Sequence, residues 1–338
     1  MLTPNEILAQ AGDLQDYMTA LRRDVHAHPE LGGTEHRTQE RILRELAEMG
    51  IEAHPCADTG VVGILYGGKP GKTIGLRADI DALPIQEETG LPFSSENAGC
   101  MHACGHDTHL AALLGAAKLL SAHRDELCGN VKFFFQPDEE GSGGAQRMVD
   151  AGCLENPHVD AVFGAHNGVD QAVGQYGLKY GRCYAASNPF VVTIHGKGCH
   201  GAFPGSGIDA VAVGCELVSV LQTLVSRRIQ ATADVRIIES YPGVTNSDDM
   251  SALVYDAMVK LVGKDNAVIV PVPEMGTEDF GAFMHGIPGC YAYFGFGDGH
   301  RQCVWPAHSP HYRVDEGGLT YAAALHVQVV LDYLNGAN

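Results

Sequence analysis

Apolar positions along the chain alternate between a helical period and strand-like runs. HRTQERILRELAEMG, residues 36–50, puts Ile42, Leu43, Leu46 and Met49 on one face and stops at Gly50, which predicts an amphipathic helix. DLQDYMTALRRDVHAH just before it also reads as helical. TGVVGILYGG (59–68) and KTIGLRADIDALP (72–84) are β-rich, and Gly67, Gly68, Pro70 and Gly71 between them predict a hairpin. THLAALLGAAKLLSAH then predicts a helix, VKFFFQP a buried strand, GGAQRMVDAG a short helix and DAVFGAH a further strand. That alternation predicts an α/β fold, a sheet flanked by helices.

A new strand is expected from about Asn188, in NPFVVTIHGKGCHG, followed by an apolar helix over 208–228 and a strand in ATADVRIIES. This stretch reads as an inserted module. From Tyr241 the alternation resumes and closes on the helix EGGLTYAAALHVQVVLDYL. The expected organisation is a catalytic domain built from 1–186 and 241–338, interrupted by a smaller domain over 187–240. PGKTIG at 70–75 resembles the end of a phosphate-binding loop, but the required first glycine falls at Tyr66 and a strand follows, so it is set aside.

Composition narrows the partners. The 338 residues carry 22 Lys and Arg against 41 Asp and Glu, a formal charge of −19, and the basic residues form no cluster that could follow a phosphate backbone. Nucleic acid is therefore not an expected partner. Apolar runs such as AALLGAAKLL fall short of a membrane span, and the first residues lack a basic stretch followed by an apolar one, so a cytoplasmic location is expected. Ten cysteines are too sparse for a disulfide scaffold, which points to free or metal-bound thiols.

Seventeen histidines stand out, and four segments concentrate metal-ligand chemistry. MHACGHDTH (101–109) precedes a helix whose N-terminal field would favour a Cys104 thiolate, with His106 two residues away. QPDEEGSGG (136–144) ends an apolar strand in three successive acids, whose mutual repulsion a cation would relieve. Adjacent carboxylates can divide the work, one as ligand and one as general base. FGAHNG (163–168) puts His166 at the carboxyl end of a strand, and AHSPHY (307–312) puts His308 in a loop before the last helix. Singly, each segment has a plain structural reading. Together, Cys104, His106, one of Glu139 and Glu140, His166 and His308 supply five donors. Two tetrahedral ions sharing one protein donor and a water would use just that set; one ion with a looser shell is the alternative.

MHACGHDTH, FFFQPDEEGSGGA, GAHNG, HGKGCHGAFP, MGTEDF and AHSPHYRVDE, in this order, closely resemble the zinc-dependent aminoacylase and carboxypeptidase family. The nearest branch is the amidohydrolases that include hippurate hydrolases, indoleacetyl-amino acid hydrolases and N-acetyl-diaminopimelate deacetylases. RRDVHAHPELG and LRADIDALPIQEETGLPF also fit, so the likeness spans nearly the whole chain.

The resemblance implies a central mixed sheet flanked by helices, with a small inserted α+β lid that also supports a homodimer. It implies two divalent ions, zinc first, with manganese, cobalt or nickel as alternatives. Cys104 would bridge them, with His106, Glu140, His166 and His308 as the other ligands. Glu139 would be the general base, Asp81 would orient a ligand, and His200 would reach from the lid to the oxyanion. Glu278 and Asp279 would lie near the site. The substrate would be an N-acyl amino acid; a short peptide, cleaved as by a dipeptidase or aminopeptidase, and a silent metal-binding relative are the competing readings. The lid departs from the family: SRRIQATADVRIIESYPG runs from the first lid helix almost straight into the last lid strand, so several dozen residues are missing and the lid looks abridged.

Overall fold

The computed structural model describes residues 2–141, 143–186, 192–227 and 241–336. The chain separates into two compact units, Met1–Ser187 with Tyr241–Asn338, and Asn188–Ser240.

The first unit opens with three helices, α1 (Pro4–Asp13), α2 (Gln15–Ala27) and α3 (His36–Glu48). The first of these lies in the opening fifty residues, which read as helical, ahead of the two segments singled out there. Its start is marked by a capping box, in which the Thr3 hydroxyl accepts the Glu6 amide while the Glu6 carboxylate accepts the Thr3 amide. In α3, Ile42 and Leu46 are buried, and Gly50 follows in the left-handed region at φ 65°. Strands β1 (Glu52–Cys56), β2 (Gly60–Tyr66) and β3 (Lys69–Asp79) come next, then α4 (His106–Ala122), β4 (Cys128–Gln136), α5 (Gly144–Asp150) and β5 (Ala161–Ala172). Short strands β6 (Tyr176–Leu178) and β7 (Gly181–Arg182) end the first stretch.

The second unit contributes α6 (Ala210–Arg227). Back in the first unit lie β8 (Thr245–Asn246), α7 (Asp248–Val262), β9 (Ala267–Ile269), β10 (Gly289–Gly297) and α8 (Gly318–Gly336).

Eight strands form one mixed sheet in the order β1-β2-β4-β3-β5-β10-β6-β9. Strands β4, β3, β5 and β10 run parallel, with β1–β2, β2–β4 and β10–β6 antiparallel. The expected hairpin between β2 and β3 does not form, because β4 lies between them. The reason is visible in β4 itself. Phe133, Phe134 and Phe135 are all fully buried, and a strand apolar on both faces is stable only deep in a sheet with helices on each side. Helix α4 is likewise apolar nearly all round and packs against α8, α2 and the sheet.

In the second unit, the described part of the expected first strand, from residue 192, forms no strand; Lys197 and Ile208 make a single antiparallel bridge. The beginning of that strand and all of ATADVRIIES lie outside the described residues.

Candidate metal centre

The parallel strands bring the candidate donors to one end of the sheet. Register places Arg77 of β3 opposite Phe134 of β4 and Gly164 of β5, so the end of β3 at Asp79 is level with Gln136 and with His166. Beyond β4 the chain turns through Pro137–Glu140 into α5. Cys104 sits in the loop leading to α4, and His308 is tied to that loop by its amide, which donates to the Ala103 carbonyl at 2.8 Å. His308 holds a left-handed backbone at φ 67°, a costly state for a side-chain-bearing residue that the surrounding fold must impose.

Three overlapping donor triads result, one of His106, Glu139 and Glu140 and two that share Cys104. Cys104, His106 and His166 have ligand atoms within 4.8 Å of one another, and so do Cys104, Glu140 and His308. Cys104 belongs to both. Its Sγ is 3.3 Å from His166 Nε2, and His308 Nε2 is 3.1 Å from Glu140 Oε1. All five donors belong to the first unit.

The imidazoles are presented with their lone pairs inward. His106 Nδ1 donates to the Asp81 carbonyl at 2.9 Å and to Asp81 Oδ1 at 3.1 Å, which leaves Nε2 buried without a hydrogen-bond partner. His166 Nδ1 donates to the Asn167 carbonyl at 2.7 Å, leaving Nε2 toward the thiol. A buried imidazole nitrogen with no partner costs free energy unless something binds it, and sulfur, nitrogen and carboxylate donors in two overlapping triads suit a pair of borderline divalent ions. The residues present therefore fit such ions.

Two neighbouring clusters have the right residue types but are already committed. His109 Nδ1 lies 2.5 Å from Asp79 and its Nε2 accepts the Asn167 amide at 2.8 Å, so it has no lone pair to give; Asp79 is also held by Arg77 at 2.7 Å. Glu278 and Asp279 flank Glu139, yet Glu278 accepts from Arg77 at 2.8 Å and from Tyr291. Asp279 accepts from Gln136 at 2.8 Å and from the Ala145 amide at 3.0 Å. Sequence reasoning missed Arg77, Asp79, His109, Asn167 and Tyr312, whose hydroxyl donates to Asn167 Oδ1.

Charges are divided sharply. Burial, with the Glu278 and Asp279 carboxylates beside it, pushes the Glu139 carboxyl well above its ordinary range. Burial also raises Glu140, but hydrogen bonding to His308 and the nearby His106 outweigh it and bring Glu140 down to about 2. His308 is lifted to about 10 by Cys104 and Glu140, and burial drives His166 down to about 3. The expected lowering of the Cys104 thiol by the α4 terminus is not what the fold delivers: burial raises it, and a cation is what would ionise it.

Cys104, Glu139, Glu140, His166 and His308 line a cavity of about 650 Å³, walled further by Tyr184 and Tyr293. Asp81 is buried behind it. His200 is exposed in the second unit, its Nδ1 accepting the Ala202 amide at 3.2 Å. Among the described residues no helix is long and apolar enough to cross a membrane.

The profile of peptidase family M20/M25/M40 matches residues 75–332. An N-acetyl-L-cysteine deacetylase of Bacillus subtilis is 36% identical, the alignment covering 92% of this chain and 86% of the relative. That alignment spans 369 positions yet takes in about 311 of the 338 residues here, so nearly sixty positions of the relative face no residue in this chain. An N-acyl-L-amino acid amidohydrolase of Geobacillus stearothermophilus is 43% identical over 68% of this chain and 62% of its own length. Among solved structures, a dinuclear metal-binding peptidase of the M20 family from Bacillus subtilis superposes with a TM-score of 0.79 at 30% identity, covering 96% of this chain and 99% of that one. By profile, sequence and fold alike, the chain belongs to peptidase family M20/M25/M40.

Proposed function

We propose that this protein is a metal-dependent amidohydrolase that cleaves the amide bond of N-acyl amino acids. The observation that carries the reading is one thiol, Cys104, shared by two buried donor triads, with Glu139 on the wall of the same cavity. Relatives named for N-acetyl-L-cysteine and for N-acyl-L-amino acids support the substrate class, and a dinuclear neighbour supports two ions.

Cys104, His106 and His166 would hold one ion and Cys104, Glu140 and His308 the other, zinc suiting the thiolate and imidazoles best. Such ions supply Lewis acidity toward the scissile carbonyl and make water nucleophilic near neutral pH. Glu139 takes the proton from the attacking water and delivers it to the departing nitrogen, and burial beside Glu278 and Asp279, which raises its carboxyl, makes the ionised form a stronger base. Asp81 keeps His106 in the tautomer that presents Nε2. The cavity beside the donors seats the acyl group. His200 is assigned to the oxyanion by the resemblance alone, as is the role of 187–240 as lid and dimerisation module.

The test is a panel of N-acetyl, N-benzoyl and free-amine dipeptide substrates, assayed on protein stripped by chelator and then reloaded with zinc, manganese or cobalt. Turnover of the N-acyl compounds that requires the ion and disappears in Glu139→Gln is the expected outcome. Turnover confined to free-amine dipeptides would replace the substrate class, and turnover indifferent to chelation would overturn the reading.

A further inference from the structure

The turn that carries both Glu139 and Glu140 is held open from the far side by a residue of the N-terminal segment. Glu35 lies between α2 and the body of α3, a hundred residues away in sequence, and is completely buried. Its Oε1 accepts the backbone amide of Asp138 at 2.9 Å, and its Oε2 accepts the Thr59 hydroxyl at 2.5 Å. Asp138 holds a left-handed backbone at φ 53°, a sparsely populated region that Asp enters more readily than most side-chain-bearing residues but that still needs the help of neighbours to fix it.

The help comes from several directions. Arg147 of α5 reaches Asp138 Oδ2 at 3.0 Å. Gly32, in the same N-terminal segment as Glu35, passes so close that a Cβ there would lie 3.1 Å from the Asp138 Cα and would collide with its carboxylate. Two residues on, the Glu140 amide donates to Asp81 Oδ2 at 3.1 Å. The turn is therefore gripped at both shoulders by buried carboxylates, Glu35 at residue 138 and Asp81 at residue 140, with Glu139 between them.

We infer that Glu35 is a positioning residue: with Thr59 and Gly32 it locks the left-handed turn at Asp138 and so aims Glu139 into the cavity and Glu140 toward His308. Ordinary β-type geometry at Asp138 would redirect the following peptide and with it both carboxylates. A carboxylate serves here because a single buried side chain accepts from two donors at once, the Asp138 amide and the Thr59 hydroxyl, and a glutamine can hold the same pair by keeping its oxygen on the amide and turning its nitrogen toward the Thr59 oxygen. The lock rests on the proposed roles of Glu139 and Glu140, and it acts on both the reaction and ion binding.

The experiment compares wild type, Glu35→Ala, Glu35→Gln and Thr59→Val in two measurements: steady-state hydrolysis of an N-acyl amino acid, and titration of the stripped protein with zinc against a competing chelator. Glu35→Ala is expected to lower kcat by roughly 10- to 100-fold with KM little changed, and to weaken one of two bound ions by about 10- to 100-fold while sparing the other. Glu35→Gln should recover most of both losses, and Thr59→Val should show the same pattern at about three- to tenfold. If Glu35→Ala does not fold, Thr59→Val carries the test by the same criteria. A Glu35→Ala protein that melts earlier but keeps kcat and both ion affinities would make Glu35 merely structural and overturn the inference, as would equal losses in the Gln and Ala variants. Should wild type hydrolyse no N-acyl amino acid, the proposed function falls, while the zinc titration still decides the lock.

Discussion

The carboxylate of Asp81 accepts the Glu140 amide at 3.1 Å through one oxygen while the other stands 3.1 Å from His106 Nδ1. Of the two triads that share Cys104, one contains His106 and the other Glu140, so one buried side chain sets the position of a donor in each. Substituting Asp81→Ala should therefore weaken both ions rather than one, by about 10- to 100-fold each. Zinc titration of the stripped protein measures this, and an effect confined to one ion would show that the two contacts are independent.

Glu139→Gln removes the proton acceptor while leaving the shape of the turn and the five donors in place. The expected result is a fall in kcat of about 10²- to 10⁴-fold with ion content and KM nearly unchanged. Metal analysis alongside steady-state kinetics separates this from loss of the ions.

Arg77 is the buried counter-charge for Asp79, Glu278 and Asp279, at 2.7, 2.8 and 3.2 Å. Arg77→Met would strand three carboxylates in the core, where breaking a buried pair by removing one partner costs about 3–5 kcal/mol. Denaturant unfolding should show a loss of this size. A near-neutral result would mean that the acids take up protons at little cost, for which Asp279, pushed by burial to about 8, is the first candidate.

Acid should loosen the segment around residues 85–95. Burial would raise the Glu87 carboxyl, but His26, the Ser95 amide and Thr89 together hold it at about 2. A folded-state value below the unfolded one means that its contribution is complete above about pH 4.5 and is lost as the pH falls toward 2. The contribution is of order 1–3 kcal/mol after allowance for solvent near the segment. Glu87→Gln should flatten that acid limb in a stability-against-pH series, and an unchanged limb would refute the assignment.

The site was legible where chemistry clusters in sequence and hidden where it is spread one residue at a time. Three histidines, a cysteine and an aspartate within 101–109, and three acids after an apolar strand, exceed what a surface turn needs, and the structure draws Cys104, His106, Glu140, His166 and His308 together. Arg77 and Asp79 read as ordinary alternation in a strand; their partners Glu278, Asp279 and His109 become neighbours only once β3 lies beside β4 and β5. The hairpin expectation failed for a related reason. Turn residues at 67–71 report a local change of direction, whereas the choice of neighbour for β2 was settled by the need to bury Phe133, Phe134 and Phe135. Glu35 gives no signal at all, since nothing local distinguishes an acid that will accept an amide a hundred residues on.

The stretch of chain between Ser187 and Tyr241 leaves and re-enters the first unit at adjacent points. Residues 181–182 pair antiparallel with 245–246, and Ala185 and Tyr241 both meet Thr277. Departure and return are thus already stitched to each other within the first unit, so whatever is spliced between them can lengthen, shrink or be exchanged without unravelling the sheet. This makes the locus a natural graft point, one where a protein engineer could fit a foreign module while the candidate cation cage, whose proposed donors all come from the first unit, stays whole.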